Sequence, residues 1–140
     1  MYLKKISGPL LDRMDILVHV PRLNYSEITG LGPVESSIVI RQRVEAARRL
    51  QQERYAKTGI NCNARMRHRE IKRHCQLTPD AQFLIKEAFQ RMKLSARGYD
   101  RVLKVSRTIA DLAYAEVIDA AHVAEAVQFR ISDEFLSGNT

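Results

Sequence analysis

The stretch Ser95-Ala96-Arg97-Gly98-Tyr99-Asp100-Arg101-Val102-Leu103-Lys104-Val105-Ser106-Arg107-Thr108-Ile109-Ala110-Asp111-Leu112 decides how this chain is read. Ser95 opens it as a helix cap, since its hydroxyl can accept from a free amide of the first turn. Tyr99, Val102, Leu103, Ile109, Ala110 and, just beyond, Ala113 form an apolar seam at helical spacing. Arg97, Arg101, Lys104, Thr108 and Asp111 follow a 4-3-4-3 spacing and share the other side. The pattern predicts an amphipathic helix running to about Tyr114. Arg97 falls in its first turn, where a cation opposes the helix dipole. An anion nearby would explain it, and Ser95, the free amides and Arg97 together make a plausible phosphate seat. The plainer alternative is a solvated charged face with an ordinary arginine on it.

Helical signals continue on both sides. Thr78-Pro79-Asp80 is a helix start, with Thr as cap, Pro in the first turn and Asp near the positive dipole end. Ala81, Leu84, Ile85, Ala88 and Met92 then recur at helical spacing, with Phe89 on the flank. Asp119 caps a last helix carrying Val123, Ala126, Val127 and Phe129-Arg130. Upstream, a helix is expected from about Ser36 to Lys57, stopped by Thr58-Gly59, with Ile40, Val44 and Ala47 inward. Gln51 and Tyr55 stand where leucines would continue that face, so its C-terminal half is expected to project or pack loosely. A short basic helix is expected near Ala64–His74.

Before the helices, Met14-Asp15-Ile16-Leu17-Val18-His19-Val20 reads as a short strand halted by Pro21. Arg22 to Pro33 has no period and reads as a linker. The expected architecture is mainly α, a bundle of about four to five helices preceded by one short strand. It divides into residues 1–21, a linker at 22–35, the bundle at 36–131 and a polar tail at 132–140.

The 140 residues suffice for one modest core, and the hydrophobic content of 45% is that of an ordinary globular domain. The sequence carries no membrane-length apolar span and no secretory signal, which makes a cytoplasmic chain the expectation. Lys+Arg number 23 against 16 Asp+Glu, a net +7 with His neutral, and arginine dominates the excess. Guanidinium groups bind phosphate in bidentate fashion, so phosphate recognition is favoured, with a solvated basic surface as the alternative. Among Cys62, Cys75, His68 and His74 only the His68-x5-His74 spacing just reaches a metal-site pattern, and reduced thiols are the better account. The four histidines fall on separate elements and no serine sits in a Gly-x-Ser-x-Gly turn, so a self-contained hydrolase is disfavoured.

A second arginine-bearing segment completes the pattern: Ile6-Ser7-Gly8-Pro9-Leu10-Leu11-Asp12-Arg13-Met14-Asp15. This segment and the Ser95–Leu112 stretch resemble two arginine stations of ring-forming AAA+ ATPases of the magnesium-chelatase-related (ComM/YifB-type) family. Pro33-Val34-Glu35-Ser36-Ser37, Asn63-Ala64-Arg65-Met66 and His122-Val123-Ala124-Glu125-Ala126-Val127-Gln128-Phe129-Arg130 fit that family in the same order. The resemblance implies the C-terminal helical lid of such an ATPase with the last strand of its core. Arg13 would be the finger presented to a neighbouring subunit. Arg97 would be the sensor-2 arginine touching the γ-phosphate, in cis or in trans, with Ser95 and Arg101 beside it. Arg101 could instead pair with Asp100 or with acids near Asp111.

The phosphate loop, the magnesium-holding acids and the sensor-1 residue have no counterpart in the sequence. The chain is therefore expected to be a piece of a longer protein, inactive alone and holding no nucleotide tightly. ATP and Mg2+ would belong to the whole ATPase. Its partners would be its own upstream AAA+ core, identical subunits in a hexameric ring, and DNA, as in branch-migration helicases. The competing reading is a free-standing basic helical nucleic-acid binder. There Arg41, Arg48, Arg49, Arg65 and Arg69 would contact phosphates in a salt-dependent way.

Overall fold

The computed structural model describes residues 8–30 and 32–130. The expected tail at 132–140, and Ile6 and Ser7 of the first arginine segment, lie outside them. Seven α-helices and one 3-10 turn make up the regular structure of the described residues. They are α1 (Gly8–Asp12), α2 (Tyr25–Thr29), α3 (Ser37–Arg54), the 3-10 turn (Asn63–Arg65), α4 (His68–His74), α5 (Pro79–Arg91), α6 (Ala96–Leu112) and α7 (Ala120–Gln128). The chain is mainly helical, as the sequence implies.

Four caps form where side-chain chemistry puts them. Ser36, Thr78, Ser95 and Asp119 each accept a hydrogen bond from a first-turn amide, those of Val39, Ala81, Gly98 and His122. Helices α6 and α7 pack together, α5 lies against α7, and α3, α4 and the 3-10 turn cover the other flank of α6. Val102, Leu103 and Ala110 of the expected seam are buried, joined by Ile71, Ala81, Ile85, Ile118, Val123 and Ala126. Ala113 is exposed, because α6 ends at Leu112 and the chain turns left-handed at Tyr114, φ 55°.

One expectation is overturned outright. The segment 14–20 forms no strand. No strand lies beside it among the described residues, and its one backbone hydrogen bond to a distant part of the chain is the Leu17 amide donating to the Phe129 carbonyl at 3.0 Å. A strand is a pairing state, and β-rich composition alone does not supply the partner. The supposed linker also contains α2, which closes on an Asn24/Glu27 capping box: Asn24 Oδ1 accepts from the Glu27 amide and Glu27 Oε2 from the Asn24 amide.

Helix α3 buries Ala47 as expected but otherwise departs from the expected pattern. Its N-terminal half is exposed, Ile38 at 70% and Ile40 and Val44 above 40%, whereas Gln51 and Tyr55 are 5% and 1% exposed. Both polar residues are satisfied internally. Gln51 Oε1 accepts from the Asn63 amide at 3.0 Å, and Tyr55 Oη donates to Asn63 Oδ1 at 2.8 Å.

That bonding leads to Asp111, the centre of the packing. Its carboxylate accepts from Arg54 Nη1 (2.8 Å) and Nη2 (2.5 Å), from Arg107 Nε (3.1 Å) and from Asn63 Nδ2 (2.8 Å). Arg107 also donates to the Glu116 and Ala115 carbonyls just past the C-terminal end of α6, where the helix dipole favours a cation. The charged side of α6 is therefore not solvated throughout. Thr108 meets Asn63, Lys104 Nζ donates to the Ala64 carbonyl, and Asp111 is fully buried. Removing one partner of a buried ion pair costs about 3–5 kcal/mol because the other charge stays behind unpaired. Asp111→Ala is expected to lower unfolding free energy by about that amount. A urea denaturation midpoint close to that of the native chain would refute it.

Candidate functional site

The N-terminal end of α6 gathers the sequence-predicted residues. Ser95 accepts from the Gly98 amide at 3.0 Å, and its hydroxyl donates to the carboxylate of Asp12, 3.2 Å from Oδ1. Asp12 also receives Arg130 Nη2 at 3.4 Å, and Arg130 Nη1 donates to the Met14 carbonyl at 2.6 Å. Arg101 is ion-paired with Asp15, rather than with Asp100 or Asp111. The two arginine segments, more than 80 residues apart in the chain, thus meet through Asp12 and Asp15 on one side and Ser95, Arg101 and Arg130 on the other.

Gly98 makes the approach possible. A Cβ there would lie 3.2 Å from Arg130 Nη2 and 3.4 Å from Ser95 Oγ, so a bare helix turn lets the guanidinium lie flat against it.

The two remaining cations are left free. Arg13, between the anchored Asp12 and Met14, and Arg97, in the first turn of α6, are both exposed. Neither side chain makes a hydrogen bond or ion pair among the described residues. The clasp itself, two carboxylates against two guanidiniums, is formally neutral, so Arg13 and Arg97 carry the excess charge of this surface. A free guanidinium can donate two parallel hydrogen bonds to phosphate oxygens. No group of three or more His, Cys, Asp or Glu suited to a metal occurs among the described residues.

The other candidate cations are spread over the helices. Arg41 pairs with Glu45 at 2.8 Å, while Arg48, Arg49, Arg65 and Arg69 are exposed and without an acidic partner among the described residues. Sequence reading missed Asp12, Asp15 and Arg130 as site residues. The only available signal was the pair of acids flanking Arg13, with nothing to say which cations they meet.

A cleft of about 420 Å³ opens beside the buried Asp111 and is lined in part by Arg54, Arg73, His74 and Arg107. Burial and the nearby Arg54 and Arg73 cations push the His74 imidazole below its ordinary value of 6.5. Burial raises the Tyr55 hydroxyl and the Cys75 thiol to about 12 each. Cys75 donates to the Leu103 carbonyl inside the core and is an inert thiol.

Residues 34–130 match the family model of magnesium chelatase, subunit ChlI C-terminal. The chain belongs to the magnesium-chelatase-related family. Residues 1–28 match a second model, that of magnesium chelatase, subunit ChlI. Among its relatives, competence protein ComM of Haemophilus influenzae is 40% identical over 130 residues, 92% of this chain and 25% of that protein. The uncharacterized protein YifB of Salmonella typhimurium is 38% identical over 138 residues, 96% of this chain and 26% of that protein. YifB of Escherichia coli is 36% identical over 136 residues, with 96% and 26% covered. The chain is thus a ComM/YifB-type member of the family and spans about a quarter of the length of these relatives. No helix among the described residues is long and apolar enough to cross a membrane.

The lowered His74 value has a sign that can be checked. The unfolded chain takes up a proton at His74 near pH 6.5, whereas the folded chain resists it to lower pH. The stability tied to the neutral ring is therefore present above pH 6.5 and lost as the pH falls below it. His74→Gln is expected to flatten the fall in unfolding free energy between neutral pH and about pH 5. Identical slopes for both proteins would exclude His74 as a cause.

Proposed function

We propose that this segment is the sensing lid of an AAA+ ATPase ring, in which Arg97 reads the γ-phosphate and Arg13 reaches the nucleotide of a neighbouring subunit. The observation that supports it is the pair of exposed guanidiniums, unpartnered among the described residues, beside a neutral clasp. Side chains on a solvated face would be expected to use Asp12 and Asp15 as counter-ions for Arg13. Those acids are instead bound to Ser95, Arg101 and Arg130.

The chemistry follows from charge. Phosphoryl transfer to water gathers negative charge on the equatorial oxygens, and an arginine delivered in trans is worth about 10³–10⁵ in rate. ATP and magnesium supply the reacting phosphate and its metal in the complete ring. This segment contributes the two arginines and the frame that aims them. Hydrolysis completed by a neighbour makes turnover depend on assembly, which suits a motor that moves along or remodels DNA.

In a ring carrying this segment, Arg97→Ala and Arg13→Ala are each expected to lower kcat for ATP by about a thousandfold. Mixed rings of Arg13→Ala and nucleotide-site-dead subunits should recover turnover only at junctions that pair an intact finger with an intact site. Wild-type turnover in either single variant would sink the assignment of that arginine.

A nucleic-acid role has its own support in Arg48, Arg49, Arg65 and Arg69, all exposed and without acidic partners among the described residues. Replacing Arg48 and Arg49 by Ala should reduce the salt dependence of DNA binding by about one unit of slope per lost phosphate contact. A slope that does not change would remove these residues from any DNA interface.

A further inference from the structure

We infer that Arg130 and Arg101 are positioning residues for Arg13: they clasp the Asp12–Asp15 segment onto the first turns of α6, so that Arg13 and Arg97 move as one body. The inference rests on the proposed role of Arg13 as a finger and adds the means by which that finger is held.

Four attachments surround one free residue. Asp12 is bound by Ser95 and Arg130, the Met14 carbonyl by Arg130, Asp15 by Arg101, and the Leu17 amide by the Phe129 carbonyl. Arg13 lies inside this run; its amide donates to the Leu10 carbonyl, and its exposed side chain has no hydrogen bond or ion pair among the described residues. A guanidinium suited to a neighbour's phosphate must keep its backbone fixed while its own donors stay unspent. The attachments at residues 12, 14, 15 and 17 meet both conditions.

Arg130 is the keystone by burial. Its side chain is 3% exposed, yet it stands at the end of α7, a position where an arginine ordinarily reaches into water. Its fork bridges two acceptors on the finger segment, the Met14 carbonyl and Asp12, which an ammonium group cannot do with the same geometry. Its neighbour on α6 is Gly98, the residue whose missing Cβ makes room for the fork. Ser95 caps α6 and also binds Asp12, so the start of the Arg97 helix and the anchor of the Arg13 segment share one hydroxyl.

The consequence is mechanical. A displacement of α6 caused by phosphate at Arg97 carries Arg13 with it, and the finger offered to one neighbour reports the nucleotide state of its own subunit. No separate relay element is required between the two arginines.

Two readouts test it. In the 140-residue chain, Asp15→Arg and Arg130→Lys are each expected to speed amide hydrogen exchange at Leu17 by about five- to tenfold, with core amides such as Val123 unaffected. The exchanged pair Asp15→Arg with Arg101→Asp should restore slow exchange at Leu17. In a ring carrying the segment, the same single variants should lower kcat for ATP by about 10- to 100-fold, as expected for a displaced catalytic group, with nucleotide affinity unchanged. The exchanged pair should recover it. Unaltered Leu17 exchange in both single variants overturns the clasp. Faster exchange with wild-type kcat overturns its coupling to the finger. If Arg13→Ala itself leaves turnover intact, the finger reading fails, while the Leu17 exchange still decides whether the clasp exists.

Discussion

A buried carboxylate between two arginines governs the geometry of this domain. Taking Asp111, Arg54 and Arg107 out of water is costly, and the arrangement is tolerable only when every donor and acceptor finds a partner. Those partners come from four places: α3, the 3-10 turn, α6 and the connection between α6 and α7. Each element is thereby fixed relative to the others by directional bonds, where apolar packing alone would tolerate sliding. Tyr55 and Gln51 extend the same bonding into α3 through Asn63. The neighbouring apolar core supplies burial, and the ionic centre supplies register.

Helix α6 carries that register to the other end of the molecule. It has 17 residues and is roughly 25 Å long at 1.5 Å per residue. Its C-terminal end is held by Arg107 and Asp111, and its N-terminal end by the clasp of Ser95 and Arg101 with Asp12 and Asp15. Between them Val102, Leu103 and Ala110 are packed on α7 and the rest of the core. A rod pinned at both ends transmits displacement with little loss, whereas a helix anchored at one end would bend or fray at the other. Two fixed ends therefore make Arg97 a residue whose position reports the whole domain.

The helices were legible in the sequence because their signals are local. Ser36, Thr78, Ser95 and Asp119 each cap the helix that follows, and a cap needs only a side-chain oxygen two or three residues from an amide. The apolar seam of α6 was legible for the same reason. The polarity of α3 was not. Gln51 and Tyr55 stand on the inward period but are polar, which argues for loose packing, and they are buried because Asn63 exchanges hydrogen bonds with them. Asp111 stands on the charged side of the helix with no local sign of its burial, because its partner Arg54 is 57 residues away. The segment 14–20 misled in the opposite sense, since β-branched residues describe a propensity and a strand requires a neighbour. Arg13 and Arg97 could be singled out one by one. The meeting of their two segments could not, because it is made by pairings such as Ser95 with Asp12, 83 residues apart.

The arginine excess of this chain is thus two populations rather than one surface property. Arg54, Arg101, Arg107 and Arg130 are spent inside the structure on carboxylates and carbonyls, each using the planar fork to hold two or more acceptors or a single acid at close range. Lysine would fail at Arg54, Arg107 and Arg130, because a single ammonium cannot satisfy divergent acceptors in a fixed plane. Arg13 and Arg97 belong to the other population, exposed and unspent, and they lie beside the acids that structural arginines have already taken. Were Asp12 and Asp15 free, they would neutralise Arg13 and weaken its attraction for a phosphate. By committing those acids to Arg101, Arg130 and Ser95, the fold keeps two positive charges available at one end of α6.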